Sequence, residues 1–210
     1  MPLTFYYGTM GSSKSAHALM ARVQYLEKGF AVALMKPEAD TRGGKDRVVS
    51  RVGLWAPCVS IPRALDLLDW YRRQSCQVIL VDEAQFLTPA QVEQLKEISL
   101  RARAVFCYGL KTDFRTRLFP GSRRLLELAD QLVELPTVCR CGRKAEVSAR
   151  IQDDKILRTG ERVLIGGDER YVSMCYRCWS RRSALEQTPA PPKPEAPEPT
   201  GQAPPARPET

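Results

Sequence analysis

An eight-residue segment near the start of the chain has the composition of a phosphate-binding loop. The segment is GTMGSSKS, residues 8–15, and it stands between an apolar run and a helical pattern. Gly8, Lys14 and Ser15 match the P-loop pattern GxxxxGK(S/T). In that pattern backbone N–H groups and a helix N-terminus surround the phosphates, the lysine supplies positive charge, and the hydroxyl binds magnesium. The segment therefore predicts a binding site for the phosphates of a nucleotide.

Ser13 departs from this pattern, which has glycine at the same position. Serine keeps the backbone N–H but adds a Cβ, so a positive φ there would cost roughly 1 kcal/mol or somewhat more. Gly11 is a second position able to take up part of the turn. The alternative interpretation of the segment is a Gly/Ser turn that joins a strand to a helix without binding phosphate.

Two adjacent carboxylates, Asp82 and Glu83, follow the apolar run QVILV. In a P-loop protein, an aspartate at this position holds magnesium, usually through water, beside the loop hydroxyl, here Ser15. The side chain of Glu83 should diverge from that of Asp82, which leaves it available to accept a proton from an attacking hydroxyl. The pair does not distinguish an enzyme that activates water from one that activates a substrate alcohol. Acidic residues also end strands as caps or ion pairs.

Four cysteines form two close pairs, Cys139 with Cys141 and Cys175 with Cys178. Four thiolates in this arrangement suit a tetrahedral structural zinc site, which contributes folding energy and leaves no open position for chemistry. Because 33 residues separate the pairs, the chain between them must make a long excursion, predicted as a hairpin or loop with the metal at its base. The remaining cysteines are in apolar contexts and are predicted to be core or inert residues: Cys58, Cys76 and Cys107.

The elements that must position these residues alternate along the chain. Apolar runs predict strands at residues 3–7, 31–35, 77–81 and 104–110, and helical patterns lie between them at residues 15–29, 63–74 and 88–100. Strands that are apolar on both faces and are followed by helices predict an α/β fold with a mainly parallel sheet. Ligands of such sheets lie at the carboxyl ends of the strands, so the loops after residues 7, 35, 81 and 110 should surround one site.

Length and composition limit the classes of protein to which the chain can belong. Its 210 residues, 43% of them hydrophobic, suffice for one catalytic domain with a small appendage. No apolar run approaches the roughly 20 residues of a membrane-spanning helix, and the N-terminus lacks a basic leader, so we expect a cytoplasmic protein with no membrane partner. Seven cysteines would stay reduced in that compartment, which favours metal over disulfides.

The net charge of +8 is compatible with two kinds of partner. A basic surface can bind nucleic acid, or it can attract polyanionic small molecules such as nucleotides. The positive residues are scattered, with no long basic stripe interleaved with aromatic residues. We therefore expect small polyanions as ligands and no nucleic acid.

The composition changes abruptly at Gln187. The 24 residues from there onward contain nine prolines and no aromatic or long aliphatic residue, so they cannot bury enough apolar surface to offset their ordering entropy. We predict three parts: an α/β nucleotide-binding domain at residues 1–136, a metal-binding domain at residues 137–184 and a disordered proline-rich tail at residues 185–210.

Six segments of the chain, in order, resemble those of type II thymidine kinases: GTMGSSKS, ADTR, VDEAQF, YGLKTDF, CRC and VLIGGDERYVSMCYRC. The resemblance extends from residue 3 to about residue 182. It implies a RecA-like P-loop domain and a zinc-binding domain whose long lasso loop folds over the nucleoside. It also implies that the chain uses ATP and Mg²⁺ to phosphorylate thymidine, and that it assembles as a homotetramer.

The resemblance also implies a role for each matching residue. Glu83 would be the general base for the 5′-hydroxyl, Arg42 would clamp phosphate during transfer, and Phe114 would stack on thymine. The ATP site would comprise Gly8, Thr9, Met10, Gly11, Ser12, Ser13, Lys14, Ser15, Asp40, Arg42, Asp82 and Gln85. The nucleoside site would comprise Phe114, Arg162, Val163, Leu164, Ile165, Gly166 and Tyr171. The zinc ligands would be Cys139, Cys141, Cys175 and Cys178.

Two other functions stay open at this point. A P-loop ATPase that acts on nucleic acid and carries a zinc ribbon would share the loop, the carboxylates and the cysteines. Such an enzyme would respond to DNA or RNA and ignore thymidine. A binding module whose P-loop has decayed at Ser13 would show no turnover. Specificity for thymidine rests on the resemblance alone.

Overall fold

The structure, a computed structural model, describes residues 2–152, 155–160, 162 and 171–182. Its strands are β1 (Leu3–Tyr7), β2 (Val32–Pro37), β3 (Arg47–Val49), β4 (Trp55–Pro57), β5 (Val59–Ile61), β6 (Val78–Val81), β7 (Ala104–Gly109), β8 (Gln131–Glu134), β9 (Val147–Gln152), β10 (Lys155–Leu157) and β11 (Tyr171–Met174). Its helices are α1 (Lys14–Glu27), α2 (Leu67–Arg72), α3 (Pro89–Ser99), α4 (Pro120–Leu128) and α5 (Tyr176–Arg181). A 3-10 turn spans Ala84–Phe86.

Six of these strands form one parallel sheet in the order β5-β2-β6-β7-β1-β8. All four residues of β6, VILV, are buried, as expected for a central strand covered on both faces. The predicted α/β fold with a mainly parallel sheet is therefore confirmed. The four strands predicted from apolar runs correspond to β1, β2, β6 and β7.

Helices and a hairpin cover the two faces of the six-stranded sheet. On one face α2, α3 and α4 bury Leu67, Val92 and Leu125 against it. On the other face α1 and the antiparallel hairpin of β3 and β4 bury Ala18 and Val48. Among the described residues, no helix is long and apolar enough to cross a lipid bilayer.

The predicted helix α1 is confirmed, but only part of its apolar surface lies in the core. Ala18 and Leu19 are buried, whereas Met20, Val23 and Leu26 are 40–50% exposed. The buried residues lie in the first half of the helix, where it packs on the sheet. The second half consequently presents apolar side chains to the surface of this single chain.

A second, antiparallel sheet has the order β10-β9-β11. It has its own small core, in which Val147, Ala149, Met174 and Trp179 pack around the cysteines. The predicted excursion between the cysteine pairs contains the hairpin of β9 and β10. The lasso segment at residues 163–167 lies outside the described residues.

Candidate active site

The segment from Gly8 to Ser15 joins β1 to α1 as the P-loop pattern predicts. A Cβ at Gly8 would collide with the carbonyl oxygen of Leu135 and with the Ser12 side chain, so only glycine fits there. Ser13 has φ +57° and ψ +25°, in the left-handed region, and Gly11 has φ +82°. The loop therefore has two residues with positive φ, and at one of them a serine takes a conformation that favours glycine.

Lys14 directs its ammonium into this loop. Its Nζ donates hydrogen bonds to the Gly8 carbonyl at 3.2 Å, the Thr9 carbonyl at 2.7 Å and the Ser12 Oγ at 3.1 Å. Burial lowers the pKa of Lys14 to about 8, while the charges of Glu83 and Asp82 act in the opposite direction. The amine is still protonated at pH 7, so the centre of the loop is positive.

Asp82 lies at the end of β6, opposite the loop, and is buried. It forms a hydrogen bond with the Ser15 side chain, whereas its Oδ1 has no hydrogen-bond partner among the described residues. Burial, followed by the negative charge of Glu83, raises the pKa of Asp82 to about 7. A desolvated carboxylate oxygen without a partner, beside a serine hydroxyl, is a donor set that fits a divalent cation.

Glu83 has different partners from Asp82, in agreement with the predicted divergence of the two side chains. Its Oε1 forms an ion pair with Arg42 Nη2, and its Oε2 accepts a hydrogen bond from Gln85 Nε2 at 2.5 Å. Gln85 Oε1 in turn accepts the Leu110 N–H at 3.0 Å. Glu83 itself has φ +52°, a strained conformation for a non-glycine residue. These contacts fix its carboxylate on two sides.

Arg42 is held by residues that follow β2. Its Nε lies 2.8 Å from Asp40 Oδ1, and Lys36 Nζ lies 3.3 Å from Asp40 Oδ2. Lys36, only 1% exposed, also donates to the Arg42 carbonyl at 3.0 Å. The buried ammonium of Lys36 thus orders the segment that contains Asp40 and Arg42, two residues predicted to belong to the ATP site.

These residues line one cavity of about 330 Å³. Lys14 comes from the loop after β1, Arg42 from the loop after β2, Glu83 from the end of β6, and Leu110 from the end of β7. The predicted convergence of four loops on one site is therefore confirmed. The hairpin of β3 and β4 adds a wall that includes Arg51, which the sequence did not predict.

The described residues predicted to bind nucleoside meet beside β9. Phe114 is 1% exposed, and the Arg150 guanidinium carbon lies 3.9 Å from its ring centroid. Arg150 also donates to the Tyr171 hydroxyl and, at 3.3 Å, to the Arg162 carbonyl. The other four predicted positions lie outside the described residues: Val163, Leu164, Ile165 and Gly166.

The tip of the phosphate loop is attached to the second sheet. Met10 N donates to Ser148 Oγ of β9 at 3.0 Å, and Ser173 Oγ of β11 donates to the Met10 carbonyl. Both backbone polar groups of one loop residue are thus bound by the antiparallel sheet. This contact places the antiparallel sheet beside the loop that joins β1 to α1.

The two cysteine pairs lie together at the base of the second sheet. All four Sγ atoms are within 4.8 Å of one another, and those of Cys141 and Cys175 are 3.6 Å apart. Sulfurs around a tetrahedral zinc with bonds of about 2.3 Å would be separated by about 3.8 Å. The cluster can therefore hold a metal ion.

Known proteins resemble the sequence of this chain over most of its length. A sequence model of the family described as Thymidine kinase matches residues 1–179. The chain belongs to the thymidine kinase family. It is 44% identical over 191 residues to the thymidine kinase of Salmonella typhimurium, covering 88% of this chain and 92% of that protein. Identities are 43% to the Rhodopirellula baltica enzyme (82% and 85% covered) and 40% to that of Idiomarina loihiensis (87% and 98%).

The match to the thymidine kinase family spans the six-stranded sheet, the antiparallel sheet and the four clustered cysteines. Besides Arg51, sequence analysis missed four polar residues that support the site of this family member: Lys36, Ser148, Arg150 and Ser173. All four lie on strands, where a single polar residue gives no signal by itself. Lys36, at the end of an apolar run that leads to Asp40, is the one with a recognisable context.

Of the three cysteines outside the cluster, one lies in the core. Cys107 is fully buried, and Cys58 and Cys76 are half-buried. Burial raises the pKa of Cys58 to about 11 and raises that of Cys76 and Cys107 as well. Their thiols stay protonated at neutral pH and are poor nucleophiles.

Proposed function

We propose that the chain transfers the γ-phosphate of ATP to the 5′-hydroxyl of thymidine. The main support is that Lys14, Asp82 and Glu83 converge on one cavity in a chain that is 44% identical to thymidine kinase of Salmonella typhimurium. Phosphoryl transfer requires positioning and charge neutralisation more than covalent chemistry by the protein. The three residues supply a cation, a metal ligand and a base for those tasks.

In this proposal ATP binds with its phosphates in the loop of residues 8–15, beside Asp40, Arg42, Asp82 and Gln85. Phosphate oxygens replace the loop's own carbonyls as partners of the Lys14 ammonium. Asp82 and Ser15 would hold Mg²⁺, in keeping with the unpartnered Oδ1 described above. The ion neutralises charge on the phosphates when bound. Arg42 exchanges its ion pair with Glu83 for one with phosphate.

Glu83 is the proposed general base. Its carboxylate leaves the Arg42 ion pair when that arginine turns to phosphate, and Gln85 continues to orient it. The freed oxygen accepts the proton of the 5′-hydroxyl as the oxygen attacks phosphorus. The same rearrangement therefore prepares the phosphate clamp and the base.

The proposed nucleoside site is formed by Phe114, Tyr171 and the segment 162–166. Phe114 stacks on thymine, while the segment supplies backbone hydrogen bonds to the pyrimidine edge. The support for these roles is the proximity of Phe114, Tyr171 and Arg162 around one arginine. The roles of residues 163–166 derive from the family resemblance.

We further propose that the cysteine cluster holds a structural Zn²⁺. Residues 1–136 would form the nucleotide-binding domain, residues 137–184 the zinc-binding domain and residues 185–210 a disordered tail. The separate sheets and the separate core around the cysteines support the first boundary. Four reduced thiolates also favour a cytoplasmic location.

A homotetramer is the proposed assembly. The surface of α1 exposes Met20, Val23 and Leu26, and the nearby hairpin exposes Val52 and Trp55. Exposed apolar groups of this size are typical of surfaces covered by another chain. Light scattering on the purified protein would give the number of chains.

The decisive experiment measures ATP consumption with and without thymidine, with single-stranded DNA as a parallel additive. The proposal predicts thymidine-dependent formation of ADP and thymidine monophosphate. Stimulation by DNA alone would instead identify the nucleic-acid ATPase, and no turnover under either condition would identify a binding module.

The role of Glu83 is tested by Glu83→Gln. The substitution preserves shape but removes the base, so kcat should fall about 10²- to 10⁴-fold while ATP affinity is retained. Isothermal titration with ATP, alongside the kinetics, separates the two effects. Near-normal turnover in this variant would exclude Glu83 as the base.

A further inference from the structure

The most buried large polar side chain of the second sheet belongs to Arg150. It lies on β9 and is only 2% exposed, although it carries a permanent positive charge. Its guanidinium stacks on Phe114 at 3.9 Å, and its Nε and Nη2 donate to the Tyr171 hydroxyl at 2.9 and 2.5 Å. Burying such a group is costly unless its contacts are specific.

Three separate parts of the chain meet at this guanidinium. Phe114 follows β7 of the parallel sheet, Tyr171 begins β11, and Arg162 presents its carbonyl from the segment between β10 and β11. A guanidinium can serve all three at once, because its face stacks on a ring while its edge donates in a fixed fork. An ammonium has neither the plane nor the fork.

We propose that Arg150 is the positioning residue of the nucleoside site, fixing the ring of Phe114 and the hydroxyl of Tyr171. The inference rests on the proposed function, since it assumes that these two aromatic residues contact the nucleoside. Arg150 is not among the residues that line the cavity of Lys14, Asp82 and Glu83. It acts through the two side chains that it orders.

The contact also determines what Tyr171 can offer to a ligand. A phenol oxygen accepts about two hydrogen bonds and donates one. Because Nε and Nη2 of Arg150 both donate to it, its remaining capacity is the O–H donor. Tyr171 therefore selects an acceptor on the ligand, such as a carbonyl oxygen of the base or a sugar oxygen.

The test is steady-state kinetics of the full-length, metal-loaded protein in which Arg150 is changed to methionine or to lysine. Each variant should raise the KM for thymidine about ten-fold or more, because hydrogen bonds from a charged donor are lost. The KM for ATP should stay within two-fold. Arg150→Lys, which keeps the charge but not the planar fork, should not recover the KM for thymidine.

Arg158→Met is a matched control. Arg158 stacks on Trp179 at 3.8 Å and donates to its carbonyl, so the substitution removes the same kind of contact from the same sheet region. It should lower thermal stability and leave both KM values unchanged. If Arg150→Met and Arg158→Met have the same effects, Arg150 is only structural and the proposal is wrong.

Tyr171→Phe supplies a second test, in the form of a double-mutant cycle with Arg150→Lys. Its effect on the KM for thymidine should be non-additive with that of Arg150→Lys, because the two residues act through one contact. Additive effects would overturn the inference. If the parent protein shows no thymidine-dependent turnover, the proposed function itself fails; if it turns over and the variants match it, only the role of Arg150 fails.

Discussion

Ser13 has a left-handed backbone conformation, which is unfavourable for a residue with a Cβ. Its φ of +57° places a Cβ in the left-handed region, at a cost of about 1–2 kcal/mol. Glycine would remove that cost but would add chain entropy to the unfolded state, worth about 0.4–1 kcal/mol. Because the strain exceeds this entropic cost, Ser13→Gly should raise the free energy of unfolding by up to about 1 kcal/mol. Denaturant titration would measure the change.

Ser180→Gly is the control for this substitution. Ser180 lies within α5, where glycine brings no relief and costs about 0.5–1 kcal/mol. The two variants should therefore shift the denaturation midpoint in opposite directions. A loss of stability in Ser13→Gly would mean that the Ser13 side chain makes a contact worth more than the strain.

Asp82 predicts a specific dependence of stability on pH. Its pKa of about 7 in the folded chain lies above the ordinary value of 3.8, so the folded state binds the proton more tightly. Ionisation then removes stability as the pH rises from about 4 to about 7. Asp82→Asn, which is never charged, should stabilise the Mg²⁺-free protein at pH 8 by on the order of a few kcal/mol.

Denaturant titration at pH 5 and at pH 8 would distinguish this pH-dependent stabilisation from one that is the same at both pH values. The gain from Asp82→Asn should be larger at pH 8, and kcat should collapse if Asp82 is the Mg²⁺ ligand proposed above. Asp69→Asn, on the exposed surface of α2, should show no such difference between the two pH values. Destabilisation by Asp82→Asn at pH 8 would show that the Lys14 charge outweighs burial.

At the scale of elements, β9 connects the phosphate loop to the second sheet. Ser148→Ala would deprive the Met10 N–H of its acceptor, and a half-buried donor left unpaired costs about 1–3 kcal/mol. We expect the KM for ATP to rise about three- to ten-fold as the loop loosens. Ser60→Ala, on edge strand β5, should leave this KM unchanged. Equal KM values for all three proteins would show that the contact does not order the loop.

The elements that sequence analysis predicted differ physically from those it missed. A continuous apolar run such as VILV of β6 is buried on both faces and is visible without knowing its partners. In β3 and β4 only the middle residue, Val48 or Ala56, is buried, so three residues give no periodic signal. These strands exist because they pair with each other and cover α1 and the sheet.

The residues of the site likewise fall into those that the sequence predicted and those that it did not. The location of Lys14, Asp82 and Glu83 at one cavity could be predicted, because each lies in a motif at the end of a predicted strand. Arg150 was not predictable, because a charged residue within a strand normally indicates a solvent-exposed face. Its partner Phe114 is 36 positions away in the sequence and reaches it only through tertiary structure.

At the scale of the whole molecule, a metal ion bound by the four cysteines should stabilise the loop between β1 and α1 as well as the antiparallel sheet. We expect about one metal ion per chain, with its removal unfolding the antiparallel sheet, because apo forms of such small domains lose their folding energy. Since Ser148 and Ser173 hold Met10, chelation should also raise the KM for ATP. Elemental analysis and kinetics before and after a chelator would measure both.

A cysteine of the cluster and a cysteine outside it can be substituted to test the role of the metal. Cys141→Ser should lower metal content and activity together. Cys76→Ser, which changes a half-buried thiol outside the cluster, should affect neither. A metal-free preparation that is fully folded and active would contradict the metal's structural role.

The position of β1 in the sheet has a consequence for biosynthesis. Its neighbours are β7 and β8, and the Leu3 N–H is accepted by Asp130, 127 residues further along the chain. At about 5–20 residues per second, β1 is synthesised roughly 6–25 s before that aspartate. Both neighbours come later in the chain, so the apolar LTFYY segment has no strand with which to pair until β7 has been synthesised. An apolar segment that waits this long for its partner is exposed to aggregation with other nascent chains.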